Sequence, residues 1–324
     1  MPTVAVIDIG TNSVRLDVRK LHDGKTWELL TRQKEVIRLG RSVFTEGIID
    51  EESERALVEN LTKFQKKIRH FNADETLCVG TSALREARNS DAILERLRAE
   101  LGIVVEIIPG EREAELIARG VVENEGGLEN PFLLIDIGGG STELTEVNCG
   151  QVVRSHSLPL GALRLQEVFL KSIPPLPRAE DADPIASCCR HASETLQSLF
   201  PRRDPSIQLV GSSGTVKALG RIFQVIPGDD MTDAPIDSAE RPTYTLLDLR
   251  DFIGRASSMS RDELAALPRV DKKRAEVLLA GALLLERIMS HFGADDIRVT
   301  DYSLRDGLYQ EWLRNRFPRA LDSH

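Results

Sequence analysis

The chain lacks any apolar run long enough to cross a membrane. The longest, Val277 to Leu285, lies between Glu276 and Glu286-Arg287, so it predicts a buried helix. No basic stretch leads into an apolar one at the N-terminus, where strand-like sequence begins almost at once, and no signal peptide is expected. Cysteine is scarce. The four present (Cys78, Cys149, Cys188 and Cys189) show no metal-ligand spacing, and the adjacent pair is a poor disulfide candidate, so a reducing cytoplasm is predicted. An excess of positive charge is missing as well. With 42 Lys and Arg against 51 Asp and Glu the net charge is −9, which argues against a general binder of nucleic acid or of a membrane surface. A phosphate-rich ligand is still compatible, because it needs only a local basic groove. Neither a G-x-x-x-x-G-K-[ST] loop nor a G-x-G-x-x-G fingerprint occurs.

What is present is a repeat. Ala5 to Leu16 and Leu133 to Leu144 each run through apolar residues, Asp-Ile-Gly, two small or polar residues, Ser, and a second alternating stretch. Each reads as strand, tight turn, strand. At 324 residues, with 41% hydrophobic and 29% charged residues, the chain has room for two ordinary soluble domains. Strands are expected at Val4–Ile9, Ser13–Val18, Trp27–Arg32, Thr76–Gly80 and Val104–Ile108, with turns at Gly10–Asn12 and His22–Lys25. Helices are expected at Glu51–Phe71, about Ala92–Leu101 and Glu111–Val122. The pattern restarts at Phe132 and continues through a strand at Gln151–Leu158, after which the chain is mostly helical. Pro227 to Pro242 reads as a long polar loop. These features predict an α/β fold of two domains, 1–126 and 127–305. Their boundary lies near the Gly-rich Glu125–Asn130, a ligand cleft lies between them, and a C-terminal helix at 306–320 packs back on the first.

The second turn carries most of the chemistry. Gly138, Gly139 and Gly140 permit backbone conformations closed to other residues, and their N–H groups can converge into an anion nest. Ser141 and Thr142 add hydroxyl donors. Asp136 and Glu143 are oxygen ligands suited to Mg²⁺, a hard cation that often takes only one or two protein carboxylates. In the first turn Asn12 and Ser13 are candidate phosphate donors, and Asp8 would hold metal or its water shell. Arg15 stands where Glu143 stands in the second copy, so the two copies differ chemically. A third loop, Gly211 to Thr215, leads from a strand into a helix, the usual geometry for anion binding. Its Ser213 and Gly214 are phosphate candidates, and each fits an ordinary helix cap equally well. Lys217, Arg164 and Arg221 are candidates for a groove, though each reads more readily as a solvated surface charge.

The three loops resemble the phosphate-1, phosphate-2 and adenosine-site motifs of the actin, sugar kinase and heat-shock chaperone ATPase superfamily. The closer resemblance is to the exopolyphosphatase / guanosine pentaphosphate phosphohydrolase family. It is carried by Asp8–Ser13, Gly80–Ala87, Ile108–Ala114, Asp136–Glu143, Gly211–Thr215 and Ser303–Gly307, and so spans nearly the whole chain. The resemblance implies two ribonuclease-H-like domains hinged over a cleft. It also implies Glu113 as general base, Arg85 as a phosphate contact, and Asp136 and Glu143 as residues that bind metal and orient water, with Glu143 thereby counted as catalytic. Charge pattern alone does not separate Glu113 from Glu111 in that helical turn; the resemblance does. Two departures stand out. The further C-terminal helical region of many members is missing, and Asp306 stands where Glu is common.

The reaction so implied is Mg²⁺-dependent release of terminal orthophosphate from inorganic polyphosphate, with a monovalent cation as a further stimulant. It would run in a cytoplasmic homodimer, in the setting of the stringent response. The alternative substrate is guanosine pentaphosphate, with the tetraphosphate as product or inhibitor. A non-catalytic polyphosphate or alarmone sensor is the alternative of another class, but it should have lost a site acid. A sugar or acetate kinase would need an acceptor region and an ATP site, for which only Gly211–Thr215 speaks.

Overall fold

The computed structural model describes residues 1–23, 26–125, 128, 130–200, 207–226 and 242–317. The chain forms two α/β units, Met1–Asn124 with Tyr302–His324, and Glu125–Asp301. Most of the expected polar loop 227–242 lies outside the described residues, as do 24 and 25 of the first hairpin turn, 126, 127 and 129 of the expected boundary, and 318–320 of the expected last helix. Among the described residues no helix is long and apolar enough to cross a membrane.

In the first unit β1 (Thr3–Ile9), β2 (Ser13–His22) and β3 (Thr26–Val36) form an antiparallel meander. The helices α1 (Val43–Glu46) and α2 (Glu51–His70) lead to β4 (Glu75–Gly80), which pairs parallel with β1. After α3 (Ser82–Glu86) and α4 (Ser90–Leu101) comes β5 (Glu106–Ile107), followed by α5 (Gly110–Asn124). The order β3-β2-β1-β4-β5 is the ribonuclease-H-like arrangement. β1 is a nearly continuous apolar run because it lies mid-sheet, covered on both faces. β3 extends four residues past the expected Arg32. Its charged end, Lys34 and Glu35, reads poorly as strand, yet charge is what an edge strand carries. The other edge, β5, keeps only two of its five expected residues, and Val104 is exposed. Asp50 caps α2 by accepting from the Ser53 N–H at 2.7 Å, and Leu57, Leu61 and Phe64 bury one stripe of the helix in the core with Ile7 and Leu16.

The second unit repeats the plan. β6 (Phe132–Ile137), β7 (Thr142–Asn148) and β8 (Gln151–Leu158) form the meander. Next come α6 (Ala162–Leu165), which runs on as a π-helical turn through Gln166–Leu170, then α7 (Pro184–Leu199), β9 (Gln208–Gly211) and α8 (Gly214–Ile222). β10 (Thr243–Thr245), α9 (Leu246–Ala256), α10 (Arg261–Ala266), α11 (Ala275–Phe292) and β11 (Asp296–Val299) complete it. The order is β10-β11-β9-β6-β7-β8, the same five-strand core with one added edge strand. The apolar run Val277 to Leu285 lies within α11, a helix buried on nearly every side.

The last helix, α12 (Leu304–Arg316), belongs to the first unit and packs on α5 and β1. Two glycines permit the close approach. A Cβ on Gly307 would lie 1.8 Å from the Leu116 carbonyl oxygen of α5, and one on Gly120 would lie 2.7 Å from the Gly307 nitrogen. Electrostatics fix the rest. Asp17 of β2, fully buried, pairs with Arg19 at 2.9 Å, Arg32 at 2.9 Å and Arg305 at 3.2 Å. Arg19 also pairs with Asp306 at 2.8 Å, and the Tyr309 hydroxyl donates to the Asp17 carbonyl at 2.9 Å.

Burial alone would raise the pKa of Asp17, but Arg305, Arg19 and Arg32 outweigh it and hold the carboxyl well below the usual carboxylate range. Burial likewise opposes, and Arg19 and Arg305 outweigh, in Asp306. A lowered folded-state pKa contributes stability that is complete above the unfolded value of about 4 and is lost as pH falls through the folded value. Asp17→Asn should therefore destabilise the protein by about 3–5 kcal/mol at neutral pH, since it leaves buried guanidinium groups without their anion. It should also flatten the acid-side fall of stability. Urea unfolding at neutral and acid pH checks both expectations.

Candidate functional site

Each Asp-Ile-Gly turn turns its carbonyls toward its own unit. In the first, Gly10 N–H closes the turn on the Ser13 carbonyl at 3.1 Å. The Thr11 carbonyl accepts from Gly40 N–H at 3.0 Å, and the Asn12 carbonyl accepts from Ile37 and Arg38 N–H at 3.1 and 3.0 Å. In the second, Gly138 N–H closes on the Ser141 carbonyl at 2.9 Å. The carbonyls of Gly138 and Gly139 accept from Ala162, Leu163 and Arg164 N–H at 2.9–3.0 Å, and Arg164 Nε donates to the Gly140 carbonyl at 2.7 Å. With the carbonyls engaged, the N–H groups of Thr11, Asn12, Gly139 and Gly140 find no acceptor among the described residues. Such a row of backbone donors is an anion nest.

The first unit gathers further groups near its turn. Thr11 Oγ1 accepts from Ala83 N–H at 3.2 Å, and Thr81 N–H donates to the Ile9 carbonyl at 3.2 Å, so the start of α3 is tied to the turn. From the far end of α3, Arg85 Nη1 donates to the Ile108 carbonyl at 2.8 Å and lies 3.4 Å from Glu113 Oε2. The structure thus brings Arg85 and Glu113 together across 28 residues. Glu113 stands in the first turn of α5 and is nearly buried, at 8% exposure, whereas Glu111 is exposed. The remaining guanidinium nitrogens of Arg85 meet no described partner. Its fork still matches the oxygens of a phosphate.

Asp8 sits opposite Arg15 in the β1–β2 ladder. Burial pushes its carboxyl up, against the pull of Arg15 and Arg305, and no described donor hydrogen-bonds it. Asn12 Oδ1 is buried and likewise without a donor. Two desolvated oxygens without a hydrogen-bond donor suit a hard cation. At the equivalent rungs of the second ladder Asp136 faces Glu143, two acids directly opposite. Such a pair is repulsive unless something positive offsets it, and its oxygens again fit a hard cation. Asp136 accepts from Ser212 Oγ at 2.5 Å, and Glu143, at 2% exposure, accepts from Ser157 Oγ at 2.8 Å. No group of three acidic, His or Cys residues able to hold a metal is found among the described residues, so water or phosphate oxygens would have to complete any such sphere.

Some candidates are engaged elsewhere. Thr142 Oγ1 donates to the Leu160 carbonyl at 2.6 Å, a tie between strand and loop. Ser213 Oγ accepts from Thr215 and Val216 N–H at 3.1 Å, which makes it the cap of α8. The Arg274 guanidinium lies 2.1 Å from where a Cβ on Gly214 would stand, so glycine there makes room for arginine. Lys217 is buried and paired with Asp301 at 2.9 Å, a charge held inside the fold, and Arg164 braces the triple-glycine loop. Two contacts escaped the sequence reading. Ser212 was inside a recognised motif but unassigned, and Ser157 carried no sequence signal until the β7–β8 register set it opposite Glu143.

The family model described as the Ppx/GppA phosphatase family matches residues 18–316. Exopolyphosphatase 2 of Mycobacterium tuberculosis is 30% identical over 327 residues, covering 94% of this chain and 97% of that protein. A guanosine-5'-triphosphate,3'-diphosphate pyrophosphatase of Photobacterium profundum is 27% identical over 96% of this chain and 59% of its own length. The crystal structure of an exopolyphosphatase from Cytophaga hutchinsonii superposes with a TM-score of 0.81 at 27% identity, covering 97% of this chain and 98% of that one.

A Cβ on Gly161 would lie 2.4 Å from the Gly139 carbonyl oxygen, so Gly161→Ala must shift the triple-glycine loop. A displacement of about 1 Å there should cost on the order of 100-fold in kcat/KM for phosphate release. Thermal unfolding and phosphate-release kinetics measured on the same variant separate this effect from a loss of fold.

Proposed function

The chain belongs to the Ppx/GppA phosphatase family, and on that footing we propose that it is an exopolyphosphatase, releasing terminal orthophosphate from inorganic polyphosphate. The observation that carries the reading is the shared build of the two turns, carbonyls drawn inward and N–H groups left for an anion. Phosphoryl transfer asks the protein mainly for positioning and for stabilisation of developing charge. In this reading each turn offers its own donors to phosphate oxygens, Asn12 and Ser13 in the first unit and the N–H groups around Gly139 and Gly140 with Ser141 in the second. Arg85 adds the guanidinium nitrogens left over from its bond to the Ile108 carbonyl. Glu113 takes the proton of the attacking water, while Arg85 and the start of α5 fix its orientation.

In the second unit Asp136 and Glu143 would hold a divalent cation, and in the first unit Asp8 offers an oxygen of the same kind to metal or its water shell; oxygen-only donors favour Mg²⁺. When bound, the cation offsets charge on the transferred phosphoryl group. We take a cytoplasmic homodimer as the working assembly and guanosine pentaphosphate as the alternative substrate, supported by the Photobacterium relative.

Glu113→Gln keeps the shape and removes the base. It should lower kcat on polyphosphate by about 10²–10⁴-fold and leave KM within about threefold. Activity near wild type would remove Glu113 from that role. Chelation of divalent cations should abolish turnover of the wild-type protein, and added Mg²⁺ should restore it.

A further inference from the structure

A second group of cations lies on α2, apart from the turns. Lys63, Lys66, Lys67 and His70 share one helix face at spacings of three and four residues, and with Gln33 of β3 they line a recess of ≈ 500 Å³. All four are exposed. Lys63 reaches only Asn60 Oδ1, at 3.2 Å, and no described carboxylate pairs with Lys63, Lys66 or Lys67. From Thr62 to His70 the helix carries no acid at all, in a chain of net charge −9.

Helix polarity explains cations only in a last turn. Lys63 stands two turns from the end, and like charges at these spacings destabilise a helix. Oε1 of Gln33, which lines the recess, is buried without a hydrogen-bond partner among the described residues. Rotation of that carboxamide can instead present its NH₂ group to an anion. The recess is lined by no Phe, Tyr or Trp, the His70 imidazole being its one ring, and lysines act as point charges without sequence preference. Gln33 also lies three residues before Val36, about 10 Å of strand from the segment that holds the first turn.

We propose that this recess is an anchoring site for the body of a polyphosphate chain whose end the same protein hydrolyses. The inference rests on polyphosphate being the substrate. The site contributes to the grip on long chains and leaves the chemical step unchanged.

The test is site-resolved acetylation of lysines in the intact wild-type protein, read by mass spectrometry, with long-chain polyphosphate, tripolyphosphate or single-stranded DNA at equal phosphate concentration. Long-chain polyphosphate should slow modification of Lys66 and Lys67 by roughly fivefold or more relative to the exposed Lys272, with little effect from the other two. Replacing Lys63, Lys66 and Lys67 together by Gln should raise KM for long chains about tenfold, and leave kcat and the KM for tripolyphosphate unchanged. Protection no greater than that of Lys272, or equal protection by DNA, overturns the proposal. Hydrolysis without protection removes the anchor and leaves the enzyme. Protection without hydrolysis supports the anchor and removes the enzyme reading.

Discussion

The buried carboxylate of Asp17 is the contact on which the first unit depends. A charge with no exposed surface is tolerable only when its partners are in place, and here they come from β2, β3 and the returning α12. The cluster therefore fixes where the end of the chain docks. Docking in turn sets Gly307 against the Leu116 carbonyl of α5, one helical turn beyond Glu113. The same charges reach the first turn, because Arg305 and Asp17 both act on the Asp8 carboxyl. The Ser303–Gly307 segment contains no reacting group, yet Arg305, Asp306 and Gly307 each make a contact that holds the site's scaffold.

The two turns share a backbone plan and differ in charge. Asp8 faces a cation across its ladder, and Asp136 faces another acid. One substitution in register, Arg15 against Glu143, separates a rung that sets an acid beside a base from one that sets two acids side by side. Serines finish the second rung, Ser212 on Asp136 and Ser157 on Glu143, and orient each carboxylate.

Much of this was legible in the sequence because local pattern determines it. The repeated Asp-Ile-Gly turns, the buried run of α11 and the longer helices α2, α4 and α5 of the first unit follow from periodicity and turn chemistry. The ends of β3 and β5 did not, because edge strands are set by what lies beside them, and Lys34-Glu35 and Val104 carry the signature of exposure rather than of strand. Short α1 and α3 are too brief to show a period. Within the site, the residue types of Asp8, Asn12 and the triple glycine announced themselves. The meeting of Arg85 with Glu113, the tie of Thr142 to Leu160 and the burial of Lys217 against Asp301 are tertiary facts, carried by pairs 18 to 84 residues apart.

The central property proposed for this chain is removal of phosphate from the end of a polyphosphate. Phosphorus NMR of long-chain polyphosphate incubated with the intact protein and Mg²⁺ tests it most directly. The account predicts that the orthophosphate signal grows while the ratio of end-group to interior phosphorus rises only slowly, as chains shorten from their ends. A fast rise of the end-group signal without orthophosphate, or an unchanged spectrum, would contradict it.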